Sequence, residues 1–141
     1  MAIPDPQPGL VVRFNYLWSR EFDRGTREAR YPRPCAIVLS YRRAVDGALI
    51  AMLAPITHSH PGDEDQAIEI PQAVKRQLGL DDERSWVMID EVNETGWPGY
   101  DLLVDARGQY AYGFIPPVLF RRIRDEVVRV VRDRRLKRVQ R

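Results

Sequence analysis

Residues 33–57 read RPCAIVLSYRRAVDGALIAMLAPIT, in which two apolar runs flank the pair Asp46-Gly47. Asp-Gly between two apolar runs is a strong sequence signal for a tight β-hairpin. The stretch therefore predicts two antiparallel strands, the first beginning at Arg33 and the second ending at Thr57. These two residues then lie at the same end of the hairpin, where a guanidinium and a hydroxyl can together donate hydrogen bonds to a phosphate.

Further strands and helices are predicted on both sides of this hairpin. The strands cover residues 9–18, 67–70 and 85–92. A short helix is predicted for residues 71–79, since proline is favoured at the start of a helix and glycine just after its end. A second helix begins near Pro116 and is amphipathic. Its apolar residues recur at helical spacing: Leu119, Ile123, Val127 and Val130.

The rest of the pattern is weaker and bears on the fold class. Residues 93–99 are predicted to form a loop, and residues 100–114 are ambiguous between a loop and a short hairpin around residues 107–108. Short strands with one short helix and one closing helix are typical of an α+β fold. We expect a strongly curved antiparallel sheet or a partly open barrel.

The chain has 141 residues, which suits one domain over residues 1–141. Residues 1–8 are expected to be flexible, and residues 116–141 to form a basic helix whose end frays beyond about residue 131. No apolar run approaches the roughly 20 residues that span a bilayer, so we expect no membrane association and a cytoplasmic location. The single cysteine, Cys35, lies inside an apolar run and is expected to be a buried hydrophobe and not a nucleophile.

Positive charge is concentrated at the C-terminus. Residues 121–141 carry ten Arg or Lys residues against three acidic residues, a formal charge of +7 that leaves −5 for the rest of the chain. Such a segment favours phosphate-rich partners, and it is also typical of a solvated helix face. Both interpretations stay open from the sequence.

The order of several short motifs resembles the MazF/PemK family of toxins from bacterial toxin–antitoxin modules. The matching motifs are Pro8-Gly9, the strand start Arg33-Pro34, the strand end Pro55-Ile56-Thr57, Ile68-Glu69-Ile70-Pro71, Gly79-Leu80, and the run from Ser85 to Glu91. The resemblance covers roughly residues 8–93 and fades afterwards.

The resemblance implies a metal-independent, cofactor-free endoribonuclease with an SH3-like barrel, working as a homodimer and silenced by an antitoxin protein. Arg33 and Thr57 fall on the family's catalytic arginine and threonine. The family's chemistry uses the 2′-hydroxyl of single-stranded RNA to attack the adjacent phosphorus, giving a 2′,3′-cyclic phosphate. This fits the residue types, because such attack needs mainly alignment and charge stabilisation. Taken alone, Arg33 also fits a structural salt bridge, and Thr57 a strand end.

The two histidines, His58 and His60, directly follow the hairpin. Either can supply an acid or base that titrates near neutral pH. They also fit exposed loop residues, and as a metal pair they lack a third nearby ligand.

Four further residues are candidates for RNA binding. Asn93 stands where many relatives carry a basic residue, and Arg30 lies in the arginine-rich connector before the hairpin. Trp97 and Tyr100 offer rings for stacking on unpaired bases, or they cover a barrel end or a dimer contact.

The absence of charge at Asn93 keeps a second function open: a non-catalytic binding module, directed at RNA or, as in gyrase-poison relatives of this fold, at a protein. A third interpretation is a structural protein whose basic helix docks on nucleic acid.

Overall fold

The computed structural model describes residues 2–29, 31–59, 61–62 and 66–141. These residues form nine strands and three helices of an α+β fold. In chain order the elements are β1 Leu10–Phe14, α1 Ser19–Asp23, β2 Arg33–Arg42, β3 Leu49–Thr57, β4 Ala67–Glu69, α2 Gln72–Leu78, β5 Trp86–Met88, β6 Glu91–Gly96, β7 Leu102–Leu103, β8 Ala111–Phe114, α3 Pro117–Arg132 and β9 Lys137–Gln140.

The predicted hairpin is confirmed and lies at the centre of the sheet. Strands β2 and β3 pair antiparallel from Cys35↔Pro55 to Arg42↔Leu49. Gly47 has a φ of 71° in the turn, a left-handed conformation that glycine adopts at little cost. Strand β1 pairs with the other edge of β2, and β5 and β6 pair with successive parts of β3.

The sheet is mostly antiparallel. Among the described strands, β6 and β9 form the one parallel pair. The longest path of bonded neighbours runs β4-β5-β3-β2-β1-β7 and does not close on itself. The antiparallel α+β fold is therefore confirmed, whereas the strongly curved barrel is not.

Apolar side chains pack on both faces of the hairpin. One group, which we call the α3-side cluster, contains Ala36, Met52 and Ile56 and is covered by α3. The other, the α1-side cluster, contains Phe14, Trp18, Cys35, Ile37 and Leu53. This division follows from the alternation of side chains along a strand. Cys35 is fully buried and burial raises the pKa of its thiol, as expected of an inert core cysteine.

Both predicted helices are present. Gly79 ends α2 with a φ of 72°, and Ile123, Val127 and Val130 form the buried stripe of α3. No helix of the described residues is both long enough and apolar enough to cross a membrane.

Several sequence predictions need correction. The first strand, predicted over residues 9–18, ends at Phe14. Residues 85–92 are divided into two strands, and the predicted loop after residue 92 begins as the continuation of β6 to Gly96. The ambiguous stretch forms β7 and β8, which both pair with β1 and not with each other. The tail does not fray after α3, because residues 137–140 form β9 beside β6.

Candidate functional site

Arg33 and Thr57 lie at the same end and on the same face of the hairpin. Cys35 is opposite Pro55 in the register, and two residues further along each strand are Arg33 and Thr57. Side chains two residues apart in a strand share a face, so both residues face the α1 side with Cys35. The backbone thus places the two residues opposite each other at the end of the hairpin.

The Arg33 guanidinium is held by an aromatic ring and not by a carboxylate. Its Cζ lies 4.9 Å from the centroid of the Trp18 ring. Its Nε is buried and has no hydrogen-bond partner among the described residues, and no carboxylate of these residues pairs with it. A stacking contact of this kind contributes about 0.5–2 kcal/mol but satisfies no N–H group. The charge of Arg33 and its two Nη groups are therefore available to an anion, whereas the buried Nε is not.

Thr57 is more enclosed than Arg33. Its side chain is 8% exposed, and its Oγ1 accepts a hydrogen bond of 3.1 Å from the Ser59 backbone N–H. It lies opposite Trp86 of β5. Thr57 does not line either of the two clefts that Arg33 borders, so the structure does not bring its hydroxyl into a cleft with Arg33.

The first of these clefts, which we call the α1 cleft, has a volume of about 240 Å³. Its lining residues are Tyr16, Trp18, Arg20, Glu21, Tyr31 and Arg33. Arg20 also stacks on Trp18, at 4.8 Å from the ring centroid. Trp18 therefore holds two guanidiniums in place, while the Tyr31 side chain, 68% exposed, offers an open aromatic surface. Guanidiniums beside an exposed ring fit a phosphate with its attached base.

The second cleft, about 410 Å³, lies on the other side of the Arg33-Pro34 strand start. Its remaining cations already have partners: Arg13 donates to the Val104 carbonyl at 3.0 Å, and Arg107 pairs with Asp105 at 3.1 Å. This cleft is therefore a weaker candidate for binding an anion.

Two buried polar side chains of β6 fix the chain segment that carries Trp18. Asn93 accepts from the Leu17 N–H at 2.9 Å and donates to the Leu17 carbonyl at 2.8 Å. Glu91 accepts hydrogen bonds from the Tyr16 hydroxyl at 3.0 Å and the Ser19 N–H at 2.9 Å. Because the residues on both sides of Trp18 are bonded to one strand, the ring on which Arg33 stacks is held in place before any ligand binds.

Asn93 has a structural role in place of the predicted RNA contact. It is fully buried, and its Oδ1 also accepts from the Arg141 guanidinium at 3.2 Å. The amide of Asn93 therefore forms hydrogen bonds with Leu17 and Arg141, and its buried side chain is inaccessible to RNA in this conformation. A basic residue at this position would have to be accommodated inside the protein, so the missing charge says little about activity.

No model of a known protein family matches this chain, and no sequence of a curated protein matches it either. The likeness to toxin ribonucleases therefore depends on the sequence motifs themselves. Any functional conclusion has to be carried by the geometry around Arg33.

Glu91 makes stability depend on pH. Burial raises the pKa of its carboxyl, although hydrogen bonds from Ser19 and Tyr16 act in the opposite direction. The folded protein thus holds this proton more tightly than the unfolded chain does. The free energy of unfolding is expected to fall as the pH rises from the ordinary carboxyl range through the raised pKa.

Glu91→Gln should remove this loss, because glutamine does not ionise. Urea unfolding at a series of pH values measures the free energy of unfolding of both proteins. We expect the wild-type value minus the Glu91→Gln value to decrease as the pH rises across that range. Glu28→Gln, at an exposed position, is the control and should follow wild type. A difference between wild type and Glu91→Gln that does not change with pH would contradict the account.

His58 lies on the opposite face of the hairpin from Thr57. It borders a small cleft of about 50 Å³ with Pro34 and Ile56, the latter in the α3-side cluster. Its Nδ1 lies 3.1 Å from the Ser85 hydroxyl. His58 lines neither of the clefts that Arg33 borders, although its partner Asp81 lines the second of them. Its acid–base role stays a prediction.

His58 belongs instead to a polar cluster with Asp81 and Glu83, whose ligand atoms lie within 4.8 Å of one another. One Asp81 oxygen is 2.8 Å from the His58 Nε2, and the other is 2.6 Å from the Nζ of buried Lys75. Partial burial raises the pKa of Asp81, but the Lys75 hydrogen bond and the His58 charge outweigh it and leave the pKa below its usual value. Because an ammonium already neutralises this carboxylate, the cluster fits an ion-pair network better than a metal centre.

The remaining predicted residues lie apart from the α1 cleft or outside the described residues. Trp97 is half-buried at the Leu49 end of β3, the end opposite Thr57, and its indole N–H donates to the Pro4 carbonyl at 2.9 Å. Tyr100 is fully exposed and lines no part of the α1 cleft. Arg30 and His60 fall outside the residues that the structure describes.

Sequence reasoning singled out Arg33 among the lining residues of the α1 cleft and missed the other five: Tyr16, Trp18, Arg20, Glu21 and Tyr31. The arginine-rich connector between β1 and β2 is long for a hairpin, which indicates a functional loop. That signal marks the segment but does not indicate which of its residues fold back towards Arg33.

Proposed function

We propose that this protein is an endoribonuclease of a toxin–antitoxin module that cleaves single-stranded RNA. The observation that carries the proposal is the Arg33 guanidinium, which borders an open cleft, stacks on Trp18 at 4.9 Å and pairs with no carboxylate of the described residues. A guanidinium with open donors is well suited to a phosphate, because its planar fork matches two phosphate oxygens.

The proposed reaction is an internal transesterification. The 2′-hydroxyl oxygen bonds to the adjacent phosphorus, the bond from phosphorus to the 5′-oxygen breaks, and one proton is lost at the 2′-oxygen while one is gained at the 5′-oxygen. Arg33 stabilises the charge that develops on the phosphoryl oxygens and donates a hydrogen bond towards the leaving oxygen. The nucleophile belongs to the substrate, so the protein supplies mainly alignment and charge.

Thr57 is proposed to donate its hydroxyl to a non-bridging oxygen at the rim of the hairpin end. Thr57→Val keeps the branched shape and removes the hydroxyl, and should lower the rate of cleavage by about 10- to 100-fold, the equivalent of one hydrogen bond to a charged group. Thr57→Ser keeps the hydroxyl and should stay within about threefold of wild type by the same reasoning. Initial rates with a labelled RNA oligonucleotide measure both; equal loss in the two variants would assign Thr57 a packing role only.

Incubation of the purified protein with a long single-stranded RNA in EDTA tests the function itself. We expect discrete cuts at a recurring short sequence, mapped by sequencing the product ends. Binding without any cleavage would overturn the nuclease and favour the alternative of a non-catalytic RNA-binding module.

The proposal includes the cellular setting that the resemblance implies: an SH3-like barrel in a cytoplasmic homodimer, with a cognate antitoxin protein that covers the RNA site. A small acidic protein encoded next to this one, which restores growth when the two are produced together, is the expected partner.

A further inference from the structure

The C-terminal segment carries cations that its own acidic residues do not neutralise. The acids of residues 121–141 each pair with a neighbouring arginine: Asp125 with Arg124 at 3.2 Å, Glu126 with Arg129 at 2.7 Å, and Asp133 with Arg135 at 3.2 Å. Five exposed cations make no side-chain hydrogen bond or ion pair with the described residues. They are Arg121, Arg122, Arg132, Arg134 and Lys137. We call these five the basic track.

The helical part of the basic track lies on one face of α3. Ile123, Val127 and Val130 define the buried face of this helix. At 100° per residue, Arg121 and Arg132 project from the opposite side and Arg122 projects from the flank. They extend along about 16 Å of the helix, at 1.5 Å per residue, so the surface is long enough to contact several nucleotides of an extended strand.

The basic track leads towards the α1 cleft. Lys137 opens β9 opposite Glu91, and Glu91 is bonded to Ser19, the first residue of α1. Strand β9 packs against α1, whose Arg20 lines the cleft with Arg33. The basic track thus starts on the outer face of α3 and ends at Lys137, on the strand that packs against α1, so RNA that contacts all of it has to pass around the edge of the sheet to reach the cleft.

We propose that the basic track binds the phosphate backbone of the same single-stranded RNA whose scissile phosphate lies at Arg33. The inference rests on the proposed function and extends the RNA footprint beyond the cleft. Exposed arginines without partners gain affinity from a polyanion by releasing its counterions, and they do so without sequence preference.

Binding of uncleavable 2′-O-methyl RNA, followed by fluorescence anisotropy at several salt concentrations, tests this inference. The test variant is Arg121→Gln/Arg122→Gln/Arg132→Gln. The control is Arg42→Gln/Arg43→Gln/Arg76→Gln, which removes the same net charge from exposed positions elsewhere. Two probes, about 4 and about 20 nucleotides long, distinguish the cleft from an extended footprint.

We expect the test variant to bind the long probe at least tenfold more weakly at low salt. The slope of log affinity against log salt should become smaller by about 2, since each of the three lost phosphate contacts contributes about 0.7 for a single strand. Its affinity for the short probe should be unchanged, and the control should bind both probes nearly as wild type does. Equal losses in the two variants, or no loss in the test variant, would overturn the inference. Because neither probe is cleaved, these results are independent of whether the wild-type protein cuts RNA.

Discussion

Replacing Arg33 with alanine is expected to lower the rate of RNA cleavage by about 100- to 1000-fold, the range typical for removing one donor from a site that stabilises developing negative charge. The fold should persist, because Arg33 forms no ion pair with the described residues and its Nε has no protein partner. The stacking contact with Trp18 is lost, together with the packing of the half-buried Arg33 side chain. Single-turnover cleavage rates together with thermal unfolding curves measure both effects.

Two further variants separate charge from geometry. Arg33→Lys keeps the charge without the planar fork, and should recover only part of the lost rate. Arg20→Ala removes the other guanidinium that stacks on Trp18, and should weaken RNA binding. Its cleavage rate at saturating RNA should stay within about tenfold of wild type, because this contact is expected to be equally strong in the ground state and the transition state. Loss of cleavage to the same extent in Arg20→Ala and Arg33→Ala would contradict the particular role given to Arg33.

The second large effect is expected on stability. Asn93→Ala leaves the N–H and carbonyl of Leu17 without their partners in the interior, and should lower the free energy of unfolding by about 3 kcal/mol. For a chain of this size the melting temperature should fall by about 10 °C. The loosened segment carries Trp18, so cleavage should also decline below the melting transition.

Gln7→Ala is the control, because it removes an exposed amide that makes no side-chain hydrogen bond with the described residues. It should cost less than about 1 kcal/mol. An Asn93→Ala protein that is as stable as wild type but no longer binds RNA would support the RNA contact expected from the sequence, and would contradict the structural role.

The central hairpin could be predicted because its signals are local. Asp46-Gly47 specifies the turn, and the apolar runs on both sides specify strands buried on two faces. The error after residue 92 has a physical cause: Asn93 is a residue type that is depleted in strands, yet it is buried in β6. The hydrogen bonds that allow Asn93 to be buried come from Leu17, 76 residues away in sequence, and a local pattern does not contain them.

Strand β9 was missed for a similar reason. Its four residues include one buried apolar side chain, Val139, too little to indicate a strand. Its stability comes from pairing with β6 and from Arg141, which donates to the Asn15 carbonyl at 2.6 Å. At the candidate site, Arg33 could be singled out from its place in the hairpin. Its support by Trp18 could not, because the contact depends on how the connector folds back.

A single 2′-deoxy substitution in an RNA substrate tests the central claim most directly. The position of the cut is first mapped in EDTA, and the nucleotide that supplies the attacking hydroxyl is then replaced by its 2′-deoxy form. Our account predicts that this substrate stays intact at that position, and that the unmodified RNA yields a 2′,3′-cyclic phosphate and a 5′-hydroxyl. Continued cleavage of the 2′-deoxy substrate at the same bond would contradict it.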